Sequence, residues 1–115
     1  MNDTTPKLNY DEPFGCSVET AISVVGGRWK PVILFHLMEN GPTRFNKLKR
    51  LIGSITQRML TNQLRELEKD DIIQRKVYEV VPPKVVYSLT EYGQSLEPML
   101  LEMREWGARH VSRKL

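Results

Sequence analysis

Apolar side chains recur every three or four residues in five stretches of this chain, whereas one region between residues 72 and 89 is β-branched and roughly alternating. Val18, Ala21, Ile22 and Val25 predict a short first helix, stopped by Gly26-Gly27, where the backbone is free to turn. Trp29, Val32, Ile33, His36 and Leu37 form a second stripe, widened by Leu34, Phe35 and Met38, so the second helix is expected to be central and buried. Pro31 is tolerable in its first turn, and Asn40-Gly41-Pro42 ends it. Phe45, Leu48, Leu51 and Ile52 predict a third helix broken at Gly53, with Lys47, Lys49 and Arg50 on its other face.

A fourth helix is expected to start at Thr56, or at Ser54 if Ser54-x-x-Gln57 acts as a capping box, and to run to about Lys69. Met59, Leu60, Leu64 and Leu67 would face inward, leaving Gln57, Arg58, Thr61, Asn62 and Arg65 outward. After an Asp70-Asp71 turn, residues 72–80 and 85–89 predict a two-stranded hairpin with a stiff Pro82-Pro83 tip. Arg75 breaks its alternation by sharing a register with Ile73 and Val77. Thr90 suits the N-cap of a last helix, expected over about residues 90–112 and kinked at Pro98, with Leu96, Met99, Leu100, Met103 and Trp106 three or four apart. Residues 1–15, with Pro6 and Pro13 and no periodicity, are expected to form a mobile arm, leaving residues 16–115 as one domain.

This order of elements predicts an α+β, mostly helical fold: a winged helix-turn-helix with a two-stranded wing and a C-terminal helix. A major groove about 12 Å wide admits one α-helix, so outward residues of the fourth helix would meet base edges of double-stranded DNA. Arg58 can pair bidentately with guanine, Gln57 and Asn62 with adenine, and the Thr61 methyl can touch thymine. Lys47, Arg65, Lys76 and Lys84 are placed for phosphates, contacts that fix register without reading sequence.

Charge sharpens this picture more by position than by total. The net charge is only +3, but residues 41–90 carry ten Lys/Arg against five Asp/Glu, while residues 1–40 carry three against five and residues 91–115 four against four. A basic middle third suits a polyanion-binding face; a merely solvated basic surface would look the same by charge alone. The 40% hydrophobic content suffices for one core without metal or disulfide. No run approaches the roughly 18 apolar residues of a membrane span, and the N-terminus lacks signal-peptide order, so a cytoplasmic protein is expected.

Other chemistries find little support. Cys16 with His36 or His110 could in principle form a thiol–imidazole pair, but His36 shares the apolar stripe of the second helix and reads as a packed residue. One cysteine and two distant histidines supply no zinc spacing, and Gly26-Gly27 lacks the remaining glycines and lysine of a phosphate loop. No enzyme activity, metal or cofactor is expected. The competing class is a winged helix that binds another protein and no DNA.

The last helix carries more apolar surface than a completed core requires. Leu96, Met99, Leu100, Met103 and Trp106 therefore predict a homodimer, with intrachain packing of that helix as the alternative. Two-fold symmetry would match an inverted-repeat operator. Cys16-Ser17-Val18-Glu19 puts the one thiol at a helix start, where free N–H groups attract negative charge and Glu19 opposes that attraction. A small buried residue at a helix start and a regulatory thiol both fit.

Several blocks in order carry a resemblance: Cys16-Ser17-Val18-Glu19, Gly26-Gly27-Arg28-Trp29-Lys30-Pro31, Arg44-Phe45-Asn46-Lys47-Leu48, Met59-Leu60-Thr61, Gln63-Leu64-Arg65-Glu66-Leu67-Glu68 and Pro82-Pro83-Lys84-Val85-Val86-Tyr87-Ser88-Leu89-Thr90. Over residues 16–110 the chain resembles the HxlR family of winged helix-turn-helix regulators, relatives of the MarR group. The resemblance implies a homodimeric prokaryotic DNA-binding regulator, with residues 56–69 as recognition helix and the Pro82-Pro83 hairpin as wing. It also implies that some members sense oxidants or electrophiles through a cysteine placed like Cys16. Asp71 departs from the family, which usually has Gly before the first wing strand, and this puts the angle of the wing in question.

Overall fold

The computed structural model describes residues 16–114; the arm expected at residues 1–15 lies outside them. Along the described residues nine elements succeed one another: α1 (Ser17–Val25), α2 (Lys30–Asn40), β1 (Thr43–Arg44), α3 (Phe45–Ile52), α4 (Gln57–Lys69), β2 (Ile73–Tyr78), β3 (Lys84–Leu89), α5 (Glu91–Gln94) and α6 (Glu97–Arg113). This is a winged helix. Ile33, Leu34 and Leu37 of α2 are fully buried, as its wide stripe requires, and pack in one cluster with Leu48, Leu60, Leu64, Leu67, Ile72, Ile73 and Leu100. Each such Leu or Ile side chain withdrawn from water contributes about 1.5–3 kcal/mol.

The sheet has three strands, in the order β1-β3-β2, where a two-stranded hairpin was expected. Thr43 pairs with Tyr87 and Arg44 with Val86. A strand of two residues leaves no alternation to detect, and its Thr43 side chain is buried because the hydroxyl donates to the Gly41 carbonyl at 2.8 Å. The last helix is also divided. Ser95 and Leu96 donate to the Tyr92 and Gly93 carbonyls at 3.0 Å, a tight three-residue winding that separates α5 from α6. Pro98 stands in the first turn of α6, where its missing N–H costs nothing, so it starts that helix and does not kink it. Met59, expected inward, is exposed at the edge of a stripe formed by Leu60, Leu64 and Leu67. In α1 only Val25 is buried, with Val24 half-buried against the core, and Val18 and Ile22 face outward.

The passage from α4 into β2 is a Schellman turn: Asp71 N–H donates to the Glu68 carbonyl and Ile72 N–H to the Leu67 carbonyl, each at 3.0 Å. Leu67 and Ile72 are both buried, giving the apolar contact that accompanies this motif. Asp71 occupies the left-handed position with φ +61°. The end of β3, at the base of the wing, is tied to the same turn. Thr90 donates its N–H to the Ile72 carbonyl at 3.0 Å and its hydroxyl to the Asp71 carbonyl at 2.7 Å, and accepts the Gly93 N–H at 2.8 Å as N-cap of α5. Gly93 is buried so closely against the Ile72 carbonyl that a Cβ there would collide with it.

Asp71→Gly is therefore expected to stabilise the fold by roughly 1 kcal/mol. An L side chain in the left-handed region costs about 1–2 kcal/mol, and glycine's freedom when unfolded returns roughly 0.5–1. Removing a carboxylate from a helix C-terminus adds a few tenths of a kcal/mol. A urea midpoint that does not rise would show that Asp71 is not strained here.

Candidate nucleic-acid interface

Thr56, and not Ser54, caps α4: its hydroxyl accepts the Met59 N–H at 3.1 Å. Ile55, just before it, is 2% exposed and anchors the turn from α3. The inner face of α4 is held by Leu60, Leu64 and Leu67 in the core. On its flank, Glu66 pairs with Lys30 of α2 at 3.1 Å, the lysine side chain being only 12% exposed. These contacts set the axis and rotation of the helix. Gln57, Arg58, Asn62 and Arg65 consequently stand in solvent, and Thr61 is half-buried. All five expected outward positions thus share the free side of one helix that follows α3 through a tight turn, and Lys47 on α3 is exposed as well.

The register of the wing sorts its charges onto two faces. Arg75 lies opposite Tyr87, while Lys76 lies opposite Val86 and Tyr78 opposite Lys84. Because successive residues of a strand point to opposite faces, Arg75 and Tyr87 share one and Lys76, Tyr78 and Lys84 the other. Lys76 and Lys84 both sit over the Tyr78 ring, at 5.0 and 5.1 Å from its centre. The two lysines expected at phosphates are therefore a pair, held on an aromatic platform on the side of the wing away from Arg75.

Arg75 itself is absent from the set expected from sequence. It lines a cleft between α4 and the wing together with Thr61, Arg65, Glu68 and Tyr87. The broken alternation was its signal: beyond Ile73 every residue of β2 is exposed, so a charge in the apolar register meets no core.

The residues expected in the dimer contact fall into two groups. Leu100 is buried in the chain's own core, and Leu96 and Met99 are half-buried against it. Met103 and Trp106 are exposed, as are Leu101 and Val111 on the same helix and Val18 and Ile22 on α1. The Trp106 ring stacks on His110 at 5.1 Å, nearly parallel. Arg104 pairs with Glu39 of α2 at 3.5 Å, a half-exposed bridge between α6 and α2. Cys16 is half-buried at the N-cap of α1, and its side chain caps no N–H. His36 is half-buried against the edge of Phe35 rather than enclosed in the core. Among the described residues no group of His, Cys, Asp and Glu could hold a metal, and no helix is long and apolar enough to cross a membrane.

A helix-turn-helix with a free, polar second helix and a basic wing defines a class, and comparison with known proteins identifies it. The model of the HxlR-like helix-turn-helix family matches residues 24–115, and the chain belongs to that family. It is 53% identical over 103 residues to the uncharacterized HTH-type transcriptional regulator YdeP of Bacillus subtilis, covering 90% of this chain and 80% of that protein. Among solved structures it is similar to the redox regulator HypR in its oxidized form, with 55% identity and a TM-score of 0.79 over 82% of this chain and 96% of that one. It is also similar to diamide-treated YodB from B. subtilis, with 40% identity and a TM-score of 0.68 over 81% and 91% of the two chains. The chain is thus a helix-turn-helix regulator of transcription and not an enzyme.

Thr56→Ala removes the one side-chain cap of α4 and should cost about 1 kcal/mol of stability. Amide exchange checks the cause: the Met59 amide should lose protection while α2 amides keep theirs. Uniform loss across both helices would place the effect elsewhere.

Proposed function

We propose that this regulator binds inverted-repeat operators in duplex DNA as a homodimer, reading bases with Gln57, Arg58, Thr61 and Asn62. The observation that carries the reading is the free polar face of α4, rotated outward by its buried leucines and its cap while the basic wing stands beside it. Lys47, Arg65, Lys76 and Lys84 supply phosphate contacts, with the two wing lysines acting together from the Tyr78 platform. Arg58→Ala should cost roughly 1–3 kcal/mol on a selected operator and little on random duplex. Lys84→Ala should weaken both alike and lower the salt slope by about one. Equal losses on both DNAs for Arg58→Ala would remove it from the base-reading set.

The dimer contact of this reading is the outer face of α6, chiefly Met103 and Trp106, with the exposed Val18 and Ile22 of α1 as a further apolar contribution. Leu96, Met99 and Leu100 support it from beneath, since they hold α6 on the core. A two-fold axis there would set recognition helices about 34 Å apart, one helical turn of DNA. Sedimentation of the Met103→Glu, Trp106→Glu double variant is expected to show a folded monomer, because neither residue belongs to the core. A folded dimer would move the interface off α6.

Cys16 is the regulatory thiol of this reading, supported by its place at the N-cap of α1, whose Val18 and Ile22 are exposed, and by the likeness to HypR and YodB. With one cysteine per chain, oxidation joins two Cys16 thiols across the dimer or to a small thiol, and electrophiles alkylate it. Operator affinity should change on diamide treatment of the wild type and stay constant in Cys16→Ser. Identical responses in both proteins would end the sensor role.

A further inference from the structure

The cleft between α4 and the wing has a volume of about 300 Å3 and is lined by Thr61, Arg65, Glu68, Arg75 and Tyr87. Two regular geometries bring these five side chains together. Residues 61, 65 and 68 are four and three apart, so they stack along one side of α4. Arg75 and Tyr87 are directly opposed across β2 and β3, on the face turned toward that helix. The Schellman turn at Asp71 fixes the angle at which the two walls of the cleft diverge.

The chemistry of this lining is specific. Arg65 and Arg75 are exposed, and the ion pairs among the described residues, Lys30–Glu66, Arg104–Glu39 and Arg104–Glu105, involve neither. Two guanidinium groups thus border one cleft with no carboxylate paired to them among the described residues. Guanidinium forks suit the oxygens of a phosphate, and the hydroxyls of Thr61 and Tyr87 are neutral donors beside them. Glu68 accepts only, and its charge leaves the lining at a net +1. That balance matches a phosphodiester, which carries one negative charge, better than a phosphate monoester carrying nearly two.

We infer that this cleft seats one phosphodiester of the DNA backbone, with Arg65 on the recognition helix and Arg75 on the wing as its two charged donors. The inference rests on the DNA-binding reading above. A phosphate so held ties the wing to α4 once DNA is bound. Arg75 is then a contact in its own right, and Glu68 tempers the cleft so that free polyanionic phosphates are not retained.

The test measures binding of the full-length protein to a random-sequence duplex by fluorescence anisotropy across a potassium chloride series. Arg75→Gln is expected to lower the slope of log affinity against log salt by about one, whereas Arg75→Lys keeps the slope. Glu68→Gln is expected to tighten binding several-fold at low salt. Both positions are exposed, and thermal melts confirm that the three variants fold. Duplex binding by the wild type with an unchanged slope in Arg75→Gln overturns the inference and leaves the DNA-binding reading standing. No duplex binding by the wild type overturns both. A separate arm uses inorganic phosphate without DNA. A melting-temperature rise beyond that of chloride at equal ionic strength, lost in Arg75→Gln while its DNA slope stays unchanged, assigns the cleft to free phosphate and overturns the phosphodiester.

Discussion

The Ile72 carbonyl is the point on which the arrangement of helix and wing depends. It accepts the Thr90 N–H and lies directly against Gly93, while the Ile72 N–H closes the turn at the end of α4. The end of α4, the residue before β2 and the end of β3 therefore meet at one residue, Ile72. Such a buried carbonyl must keep its partners, since an unsatisfied one costs about 1–3 kcal/mol. The wing is thus aimed by backbone bonds at its base, and the side chains farther out remain free to meet a ligand.

The division of labour along α4 has the same logic. Leu60, Leu64 and Leu67 take the core side, Glu66 takes the flank toward Lys30, and Thr56 satisfies the first turn. Nothing remains on the outer side that the fold itself needs. The charges of the wing are sorted in the same way, since the pleat sends Arg75 toward the helix and the lysine pair away from it. One short hairpin consequently offers two cationic surfaces of different shape: an open aromatic platform and a walled cleft.

Much of this is legible in the sequence because it rests on periodicity. The buried residues of the α2 stripe and the α4 leucines report burial directly, and the β-branched run reports extended strand; these elements fall where expected. Features without a period escape such a reading. Thr43 and Arg44 form a strand too short to alternate, and Pro98 suggests a kink although the preceding turn has already ended α5. The Asp70-Asp71 turn is expected from its residues, but the left-handed conformation of Asp71, the one glycine would take, shows in the sequence only as a departure from the family. Arg75 is visible as an irregularity whose meaning requires Tyr87 and Arg65, residues 12 and 10 positions away, to be seen beside it. Apolar spacing on α6 likewise cannot separate Leu100, which serves the core, from Trp106, which does not.

Helix α1 has almost no core of its own. At nine residues it is shorter than the roughly 12–15 that an isolated helix needs to hold itself in water, and Val25 is its single buried side chain. Its winding and unwinding belong to the low end of local stability, where segments open without the domain unfolding. Cys16 is the N-cap of that helix. Fraying of the first turn therefore changes what surrounds the sulfur, and a contact that covered Val18 and Ile22 would hold that turn wound.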